Sequence, residues 1–429
     1  MLNGRTKAAG AFLLSGMLAL TACNAGAKPD EKGPLTVYRV ESDALYMSAL
    51  DTYQKENPDL EIKTFPTYQE MKDQLNTELM SGKGPDVLLY NSLYSESDPL
   101  KLADSGAFLS LDEYVKGLSD DEYFGTILEA GKIGGTQYLL PLSWNVPLAY
   151  TSQSLAKEQN YLDQIVFDIL PAEAKRLESD SEASPCSIQF GRTDGINFVA
   201  EMAGTPVINH NGEITIDQES FRHVAELTKL LVESNSKINA QKYGNDFASV
   251  GSHYSFFLEN YSFMHNLRFY QVVFHTAFNE DVMMYPIQQP DGGVTAQVIN
   301  YGAVNANSRN PDGAWNLLKA IADAPCTMDY GKYEKNNIYY TPINVSAYEE
   351  CVKELFLQRA KIKNTREALN EENSEILRAF PEKVTSALIP NPSVGALVQD
   401  CMDPYLTGDK DFESCYQELM SKLALYLDE

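Results

Sequence analysis

From Leu35 onward, short β-branched runs alternate with helices that are apolar on one side only. Leu35-Thr36-Val37-Tyr38-Arg39-Val40 reads as a strand, because branched and aromatic side chains fit a pleated surface. Leu45, Ala49, Leu50 and Tyr53 then recur at helical spacing, and Asn57-Pro58 stops that helix. Leu60 to Phe65 is a second strand. Thr67 and Glu70 have the spacing of a capping box, in which each side chain satisfies a free amide at the helix start. Met71, Leu75 and Leu79 carry that helix on as one stripe. Gly82-Lys83-Gly84-Pro85-Asp86 breaks it, and Val87-Leu88-Leu89-Tyr90 is a third, apolar strand. Strand, helix, strand, helix, strand is the order of parallel βαβ units, with helices covering the sheet.

Farther along, Ser119 and Glu122 repeat the capping-box spacing and predict another helix. Lys132-Ile133, the turn Gly134-Gly135, and Thr136 to Leu142 predict a hairpin feeding a long strand through to Tyr150. Asn211-Gly212 suits a type I′ turn and predicts a second hairpin over Val207 to Ile216. Phe221, Val224, Ala225, Thr228, Leu231 and Val232 mark the helix behind it. From Tyr348 the chain reads as helices broken by Pro381, Pro390, Pro392 and Pro404. There is no internal repeat.

The N-terminus obeys a different rule. Arg5 and Lys7 precede Ala8 to Ala19, an uncharged stretch shorter than the ~20 residues a membrane-spanning helix needs. It fits the apolar region of a signal peptide spanning residues 1–22, which is removed before folding. Leu20-Thr21-Ala22-Cys23 resembles a lipobox: small residues let a peptidase reach the backbone, and Cys23 supplies the thiolate for lipidation. Two acyl chains anchor stably where one is marginal, at ~0.8 kcal/mol per buried CH₂. Residues 23–34 are small, polar and punctuated by Pro and Gly, which suits a tether.

A chain of 429 residues is too long for one compact core and suits two lobes. Its formal net charge is −26, and removing Arg5 and Lys7 with the leader makes it −28. Such a surface excludes nucleic acid as a partner, because that binding is driven by basic side chains displacing counterions. Beyond Cys23 there are Cys186, Cys326, Cys351, Cys401 and Cys415, none in a CxxC pair. An odd count calls for no disulfide scaffold and the spacing supports no zinc site. Cys401 with Cys415 is the one pair to test, and free buried thiols are the expected state.

In this order the segments resemble the extracellular solute-binding proteins of ABC importers, the group that includes maltose-binding protein. The resemblance is carried by Asn57-Pro58 before a strand, by Leu79 through Val87, and by Gly134-Gly135-Thr136-Gln137-Tyr138 with Pro141. It continues through Phe257 to Met264, Tyr285-Pro286, Asp291-Gly292-Gly293, Gly302, Ser308 and Ala314-Trp315, and closes at Tyr405-Leu406-Thr407-Gly408. It implies an α/β fold of two lobes, with a ligand cleft between them and hinge strands that cross from one to the other. The crossings fall at Ser143 to Tyr150, near Gln288 to Gln297, and near Tyr340 to Val345. One lobe then takes residues 35–145 and 298–343, and the other takes 146–297 and 344–429. Ligands of open α/β sheets sit beyond the carboxyl ends of strands, which places the loops after Val40, Phe65 and Tyr90 at the cleft.

A sugar offers hydroxyls that want directional partners and C–H faces that want a flat ring. With two tryptophans and 25 tyrosines, tyrosine supplies most of the available stacking. Trp144, beside Asn145 on the first crossing, is a platform candidate whose alternative role is packing at the hinge. Tyr90 and Asn91 end the third strand, Tyr68 follows the second and Glu41 the first. Tyr68 also lies in the capping turn, where covering the helix is its other role. His265-Asn266-Leu267-Arg268-Phe269-Tyr270 stands where the family has a loop bearing glycine and tryptophan. Arg268 offers a guanidinium fork for adjacent hydroxyls, and Tyr270 a ring. Tyr301, beside Gly302, completes the set. Trp315 reads as core.

The implied function is capture of a sugar or oligosaccharide and its delivery to the transmembrane subunits of an ABC permease, by a monomer held to the membrane through lipid. A polyamine suits the negative surface, and a peptide is a further alternative. A receptor that presents its ligand to a membrane sensor has the same sequence features. An exported glycoside hydrolase needs two carboxyl groups ~5–10 Å apart, a condition that 60 acidic residues leave without specificity. No Gly-x-Ser-x-Gly elbow occurs. Gly125 to Lys132 misses a phosphate loop by one residue and lacks the following Ser or Thr. The five histidines form no HExxH, so neither catalytic residues, nor a metal, nor a cofactor are expected. The lipobox gives the first testable outcome. Cys23→Ala is expected to release processed protein from the membrane fraction or to leave uncut precursor; normal processing and anchoring would refute it.

Overall fold

The computed structural model describes residues 33–41, 43–92, 98–119, 121–158, 165, 166, 170, 172, 186–188, 195–238, 256–259, 280–289, 291–324, 341–361 and 371–428. The leader, Cys23, Arg268 and Tyr270 lie outside them. From Pro34 onward the chain forms one compact unit.

The first βαβαβ unit forms as its pattern predicts. β1 (Thr36–Val40) pairs in parallel with β2 (Glu61–Phe65) and with β3 (Val87–Asn91). Between them, α1 (Ala44–Glu56) is capped by the Asp43 carboxylate, which accepts from the Tyr46 amide at 3.2 Å. It buries Leu45, Tyr46 and Leu50. α2 (Tyr68–Met80) is capped by Thr67, whose hydroxyl accepts from the Glu70 amide at 3.2 Å and donates to its carboxylate at 3.5 Å. The loop before β3 is held by Asp86, which accepts from the Thr36 amide at 2.9 Å and the Ser308 hydroxyl at 2.6 Å. Asn305 donates to the Lys83 and Pro85 carbonyls at 3.1 and 3.0 Å. The motif residues Gly82 to Asp86 and Ser308 therefore tie one loop to another across more than 200 residues.

The short helices α3 (Pro99–Asp104), α4 (Asp112–Val115) and α5 (Gly125–Glu129) follow. Ser119 caps a turn rather than a helix. Tyr123 bridges Asn344 and the Phe124 amide donates to the Ile343 carbonyl at 3.2 Å, so a distant segment holds this stretch extended until Gly125. The hairpin β4 (Lys132–Ile133) and β5 (Thr136–Gln137) turns on Gly134 and Gly135, both at positive φ. β6 (Leu139–Asn145) and β7 (Leu148–Ser152) replace the single long strand, separated at Val146-Pro147 where the chain passes from one sheet to another.

β7 enters a second sheet of order β8-β11-β7-β10-β9. Its other strands are β8 (Ile165–Val166), β9 (Cys186–Ile188), β10 (Phe256–Glu259) and β11 (Val282–Gln288). Helices α6 (Gln153–Glu158), α7 (Gly195–Met202) and α8 (Gln218–Ile238) accompany it. The expected second hairpin is a single bridge, Ile208 to Ile214. The Asn209 amide donates to the Glu213 carbonyl at 3.0 Å, closing a three-residue loop with Gly212 at positive φ. The loop is one residue longer than type I′ requires.

β11 leads through residues 289–293 into β12 (Val294–Val304), which returns to the first sheet. β12 runs antiparallel to β3 and β6 and parallel to β13 (Val384–Leu388). Five helices follow among the described residues: α9 (Pro311–Ala322), α10 (Val345–Lys361), α11 (Glu371–Lys383) and the pair α12 (Pro392–Thr407) and α13 (Phe412–Asp428). Pro392 opens α12, whereas Pro381 and Pro404 lie within helices. β13 has no local signal strong enough to be read, since its partner lies some 90 residues earlier.

Two large apolar cores result, with a small cluster of Val40, Phe65 and Met71 beside the first. Strand alternation shares the second sheet between them: Leu148, Tyr150, Val282 and Met284 face the first core, and Ala149, Met283, Tyr285 and Ile287 the second. Asn373 of α11 completes the ladder of β11, donating to the Val282 carbonyl at 2.8 Å and accepting from the Met284 amide at 3.2 Å. Trp315 is buried on Tyr114, with ring centroids 5.3 Å apart. Cys401 and Cys415 are free and buried, as expected, but Cys351 is disulfide-bonded, which the count of cysteines did not anticipate.

The first crossing is pinned by Trp144. Its indole is fully buried, stacks on Tyr348 at 5.8 Å, meets the edge of Phe124 at 5.7 Å and donates to the Pro342 carbonyl at 2.9 Å. Ser143 bridges Pro342 alongside. Of its two sequence-based roles, Trp144 here has the packing one. Trp144→Ala is expected to destabilise the chain by about 3–5 kcal/mol, read from its denaturant midpoint. A midpoint within experimental error of the parent would contradict this packing role.

Candidate functional site

The carboxyl ends of β1, β2 and β3 meet the amino end of β12 and the carboxyl end of β6. The strand residues at this end are polar. Asn91 of β3 pairs with Asn300 of β12, which pairs in turn with Ser143 of β6; one step on, Asn145 pairs with Gln297. All five side chains are buried.

Asp43 organises this seam. One of its oxygens caps α1, and the other accepts from the Tyr68 hydroxyl and from the Asn91 and Asn300 amides, each at 3.4 Å. Asn300 accepts from the Ser143 hydroxyl at 2.7 Å, and its own backbone amide donates to the Ser143 oxygen at 3.2 Å. The Ser92 hydroxyl donates to the Val298 carbonyl at 3.0 Å. Burial pushes the Asp43 carboxyl up from its ordinary range, against the pull of the hydrogen bonds from Tyr68, Tyr46 and Asn91. A carboxylate offers about four acceptor positions, and internal donors take those of Asp43.

A second buried carboxyl lies nearby. Glu201 of α7 accepts from the Gln297 side chain and, at 2.9 Å, from Asn197. Burial raises its pKa to about 8, with those two hydrogen bonds opposing the shift. Glu201 adjoins residues of the second core while Gln297 belongs to the first sheet, so the pair joins the two.

The candidates from sequence divide on this geometry. Tyr68 and Asn91 come together on Asp43, Asn145 lies beside Gln297, and Glu41 is exposed at the end of β1. Tyr90 and Tyr301 are register partners whose rings stack at 5.3 Å, both about 1% exposed. Alternation sends Tyr90 and Asn91 to opposite faces, so one strand end cannot present both to the same cleft. Neither phenol oxygen has a hydrogen-bond partner among the described residues, a cost of about 1–3 kcal/mol each set against two buried rings. Arg268 and Tyr270 lie outside the described residues. Sequence reading missed Asp43, Ser143, Asn300, Gln297 and Glu201. Asp43 had a readable signal, an Asp just ahead of an apolar helical stripe; the others are isolated polar residues in apolar strands.

The family model for bacterial extracellular solute-binding proteins matches residues 38–325. The chain belongs to this family. Solved structures of similar fold are distant in sequence. The sugar-binding protein MalE from Xanthomonas citri superposes with a TM-score of 0.65 at 15% identity, over 92% of this chain and 97% of its own. A sugar transporter from Rhizobium etli in an open conformation gives 0.61 at 14%, over 91% and 99%. An ABC substrate-binding protein from Listeria monocytogenes in complex with cycloalternan gives 0.60 at 14%, over 93% and 100%. A comparison with curated protein sequences returned no match. As a member of this family with the two-lobe α/β fold, the solute-binding protein has its polar seam where strands of open sheets end, the usual place for a ligand. Among the described residues, no helix is long and apolar enough to cross a membrane.

Glu201 makes the stability of this solute-binding protein depend on pH. Its folded pKa lies above the ordinary 4.5, at about 8, so the folded state binds the proton more tightly than the unfolded chain. That contribution is complete below pH 4.5 and is lost as pH rises toward 8. Melting temperatures across this window should fall more steeply for the parent than for Glu201→Gln. Equal slopes would show that the carboxyl is already ionised at low pH.

Proposed function

We propose that this chain is the lipid-anchored capture component of an ABC importer, closing two lobes on a sugar or oligosaccharide and delivering it to the permease subunits. In this reading, the signal peptide is residues 1–22, Cys23 carries the lipid and residues 23–34 are the tether. The lobes then follow the two sheets: β1, β2, β3, β6, β12 and β13 build one, and β7 to β11 the other. The protein works as a monomer.

The observation that carries the reading is the Asp43, Tyr68, Asn91, Asn300 and Ser143 network at the strand ends. The Asp43 acceptor positions are occupied from within the protein, so the seam offers amides and hydroxyls rather than a free negative charge. That suits a neutral, hydroxylated solute better than a polyamine. MalE, named as sugar-binding, and the cycloalternan complex point the same way. Glu41, Tyr68, Asn91 and Asn145 are the proposed contacts from the described strand ends, with Arg268 and Tyr270 from the segment that follows β10 in sequence. Tyr90, Tyr301 and Trp144 then support the seam from the core.

A thermal-shift screen of sugars, oligosaccharides, polyamines and short peptides tests the ligand class. A sugar is expected to raise the melting temperature, by about 2.7 kcal/mol of stabilisation at a hundred times its dissociation constant. Asn91→Ala should weaken calorimetric binding of that sugar about tenfold, the worth of one hydrogen bond. Small-angle scattering at saturation should give a smaller radius of gyration. Stabilisation by polyamines or peptides alone overturns the sugar reading, and an unchanged scattering profile overturns closure.

A further inference from the structure

Away from the polar seam, two helix caps from different cores face each other. Asp98 begins α3, whose Ala103 belongs to the first core, and its Oδ1 accepts from the Leu100 and Lys101 amides at 3.0 and 3.3 Å. Asn391 begins α12, whose Val394 and Val398 belong to the second core, and its Oδ1 accepts from the Ser393 and Val394 amides at 3.0 and 3.2 Å. The Asn391 amide group then donates across to Asp98 at 3.2 Å and to the Tyr426 hydroxyl at 2.9 Å. Tyr426, near the end of α13, donates that hydroxyl to the other oxygen of Asp98. The Lys101 ammonium lies 4.6 Å from the centre of the Tyr426 ring.

The arrangement is closed within itself. The Asp98 oxygen that caps α3 also accepts from the Asn391 amide, and its other oxygen accepts from the Tyr426 phenol. Both the acceptor and the cation on the ring are charged, and charge-assisted hydrogen bonds are roughly twice as strong as neutral ones. The contact borders a cavity of about 50 Å³ between the cores, lined by Leu100 and Ile133 on one side and Asn197 and Glu201 on the other. Separating the cores at this point breaks both hydrogen bonds to Asp98 while Asn391 and Tyr426 stay bonded to each other beside the second core, which gives the contact two discrete states.

We propose that Asp98, Asn391 and Tyr426 form a clasp that holds the two lobes together and sets the balance between their closed and open arrangements before any solute binds. The C-terminal helix thereby controls solute capture from outside the seam. The clasp rests on the two-lobe closing mechanism but not on the chemistry of the solute, so its test uses the protein without ligand. Tyr426→Phe removes only the hydroxyl and keeps the ring under Lys101. Asp98→Asn keeps an oxygen for the α3 cap and removes the charge. Each is expected to shift the closed-to-open ratio about tenfold toward open, as for one charged hydrogen bond. The readouts are a larger radius of gyration in small-angle scattering and faster amide exchange at residues 100–104, 393 and 394. Melting temperatures near that of the parent show that both variants fold. Scattering profiles matching the parent for both folded variants would overturn the clasp, and so would faster exchange confined to the end of α13.

Discussion

β12 is hydrogen-bonded to three strands at once, and the rest of the architecture depends on that pairing. Its eleven residues are buried throughout. It runs antiparallel to β3 and β6 and parallel to β13, so it draws together segments from the start, middle and end of the chain. Such a strand must be apolar on both faces, because neither meets water along most of its length. Close packing also limits what it carries: a Cβ at Gly302 would lie 2.3 Å from the Leu318 side chain. β12 arrives directly from β11 of the other sheet, so the same segment both completes one lobe and hinges it to the other.

The polar seam follows from where this pairing ends. Toward the amino end of β12 the strand residues become Gln297 and Asn300, and the strands alongside contribute Asn91, Ser143 and Asn145. Buried amides and hydroxyls are costly unless satisfied, and here they largely satisfy each other around Asp43. Period-two alternation puts the stacked Tyr90 and Tyr301 on the opposite side, where they stiffen the strands that hold the seam. Position and support are thus supplied by adjacent residues of one strand with opposite chemical character.

Stability and mobility compete in this design. Glu201 with Gln297, and Asp98 with Asn391 and Tyr426, join the cores at two separate places. The two cores also meet through apolar residues, because Leu148, Tyr150, Val282 and Met284 of the second sheet pack into the first core. The polar contacts have definite geometry, so each depends on single groups.

Local rules wrote much of the fold into the sequence. The βαβαβ start, the Thr67 cap, the Gly134-Gly135 turn and the face of α8 were legible, because each depends on residues within one or two turns of each other. Asn91 and Tyr68 were legible as residues at or just after strand ends. What the sequence left open was decided by contacts between distant residues. The Ser119 turn failed to nucleate a helix because Asn344 captured Tyr123. Trp144 lies inside the hinge because Tyr348 and Pro342 close over it. The alternation of Tyr90 and Asn91 was visible, yet only pairing with β12 decided which of them faces the seam. Asp43 became more than a helix cap only when the fold brought Asn300 to it across 257 residues. Periodicity determines which segments form and which side of each is apolar; which polar groups meet is settled only when the sheet is assembled, because a hydrogen bond depends on distance in space and not on distance along the chain.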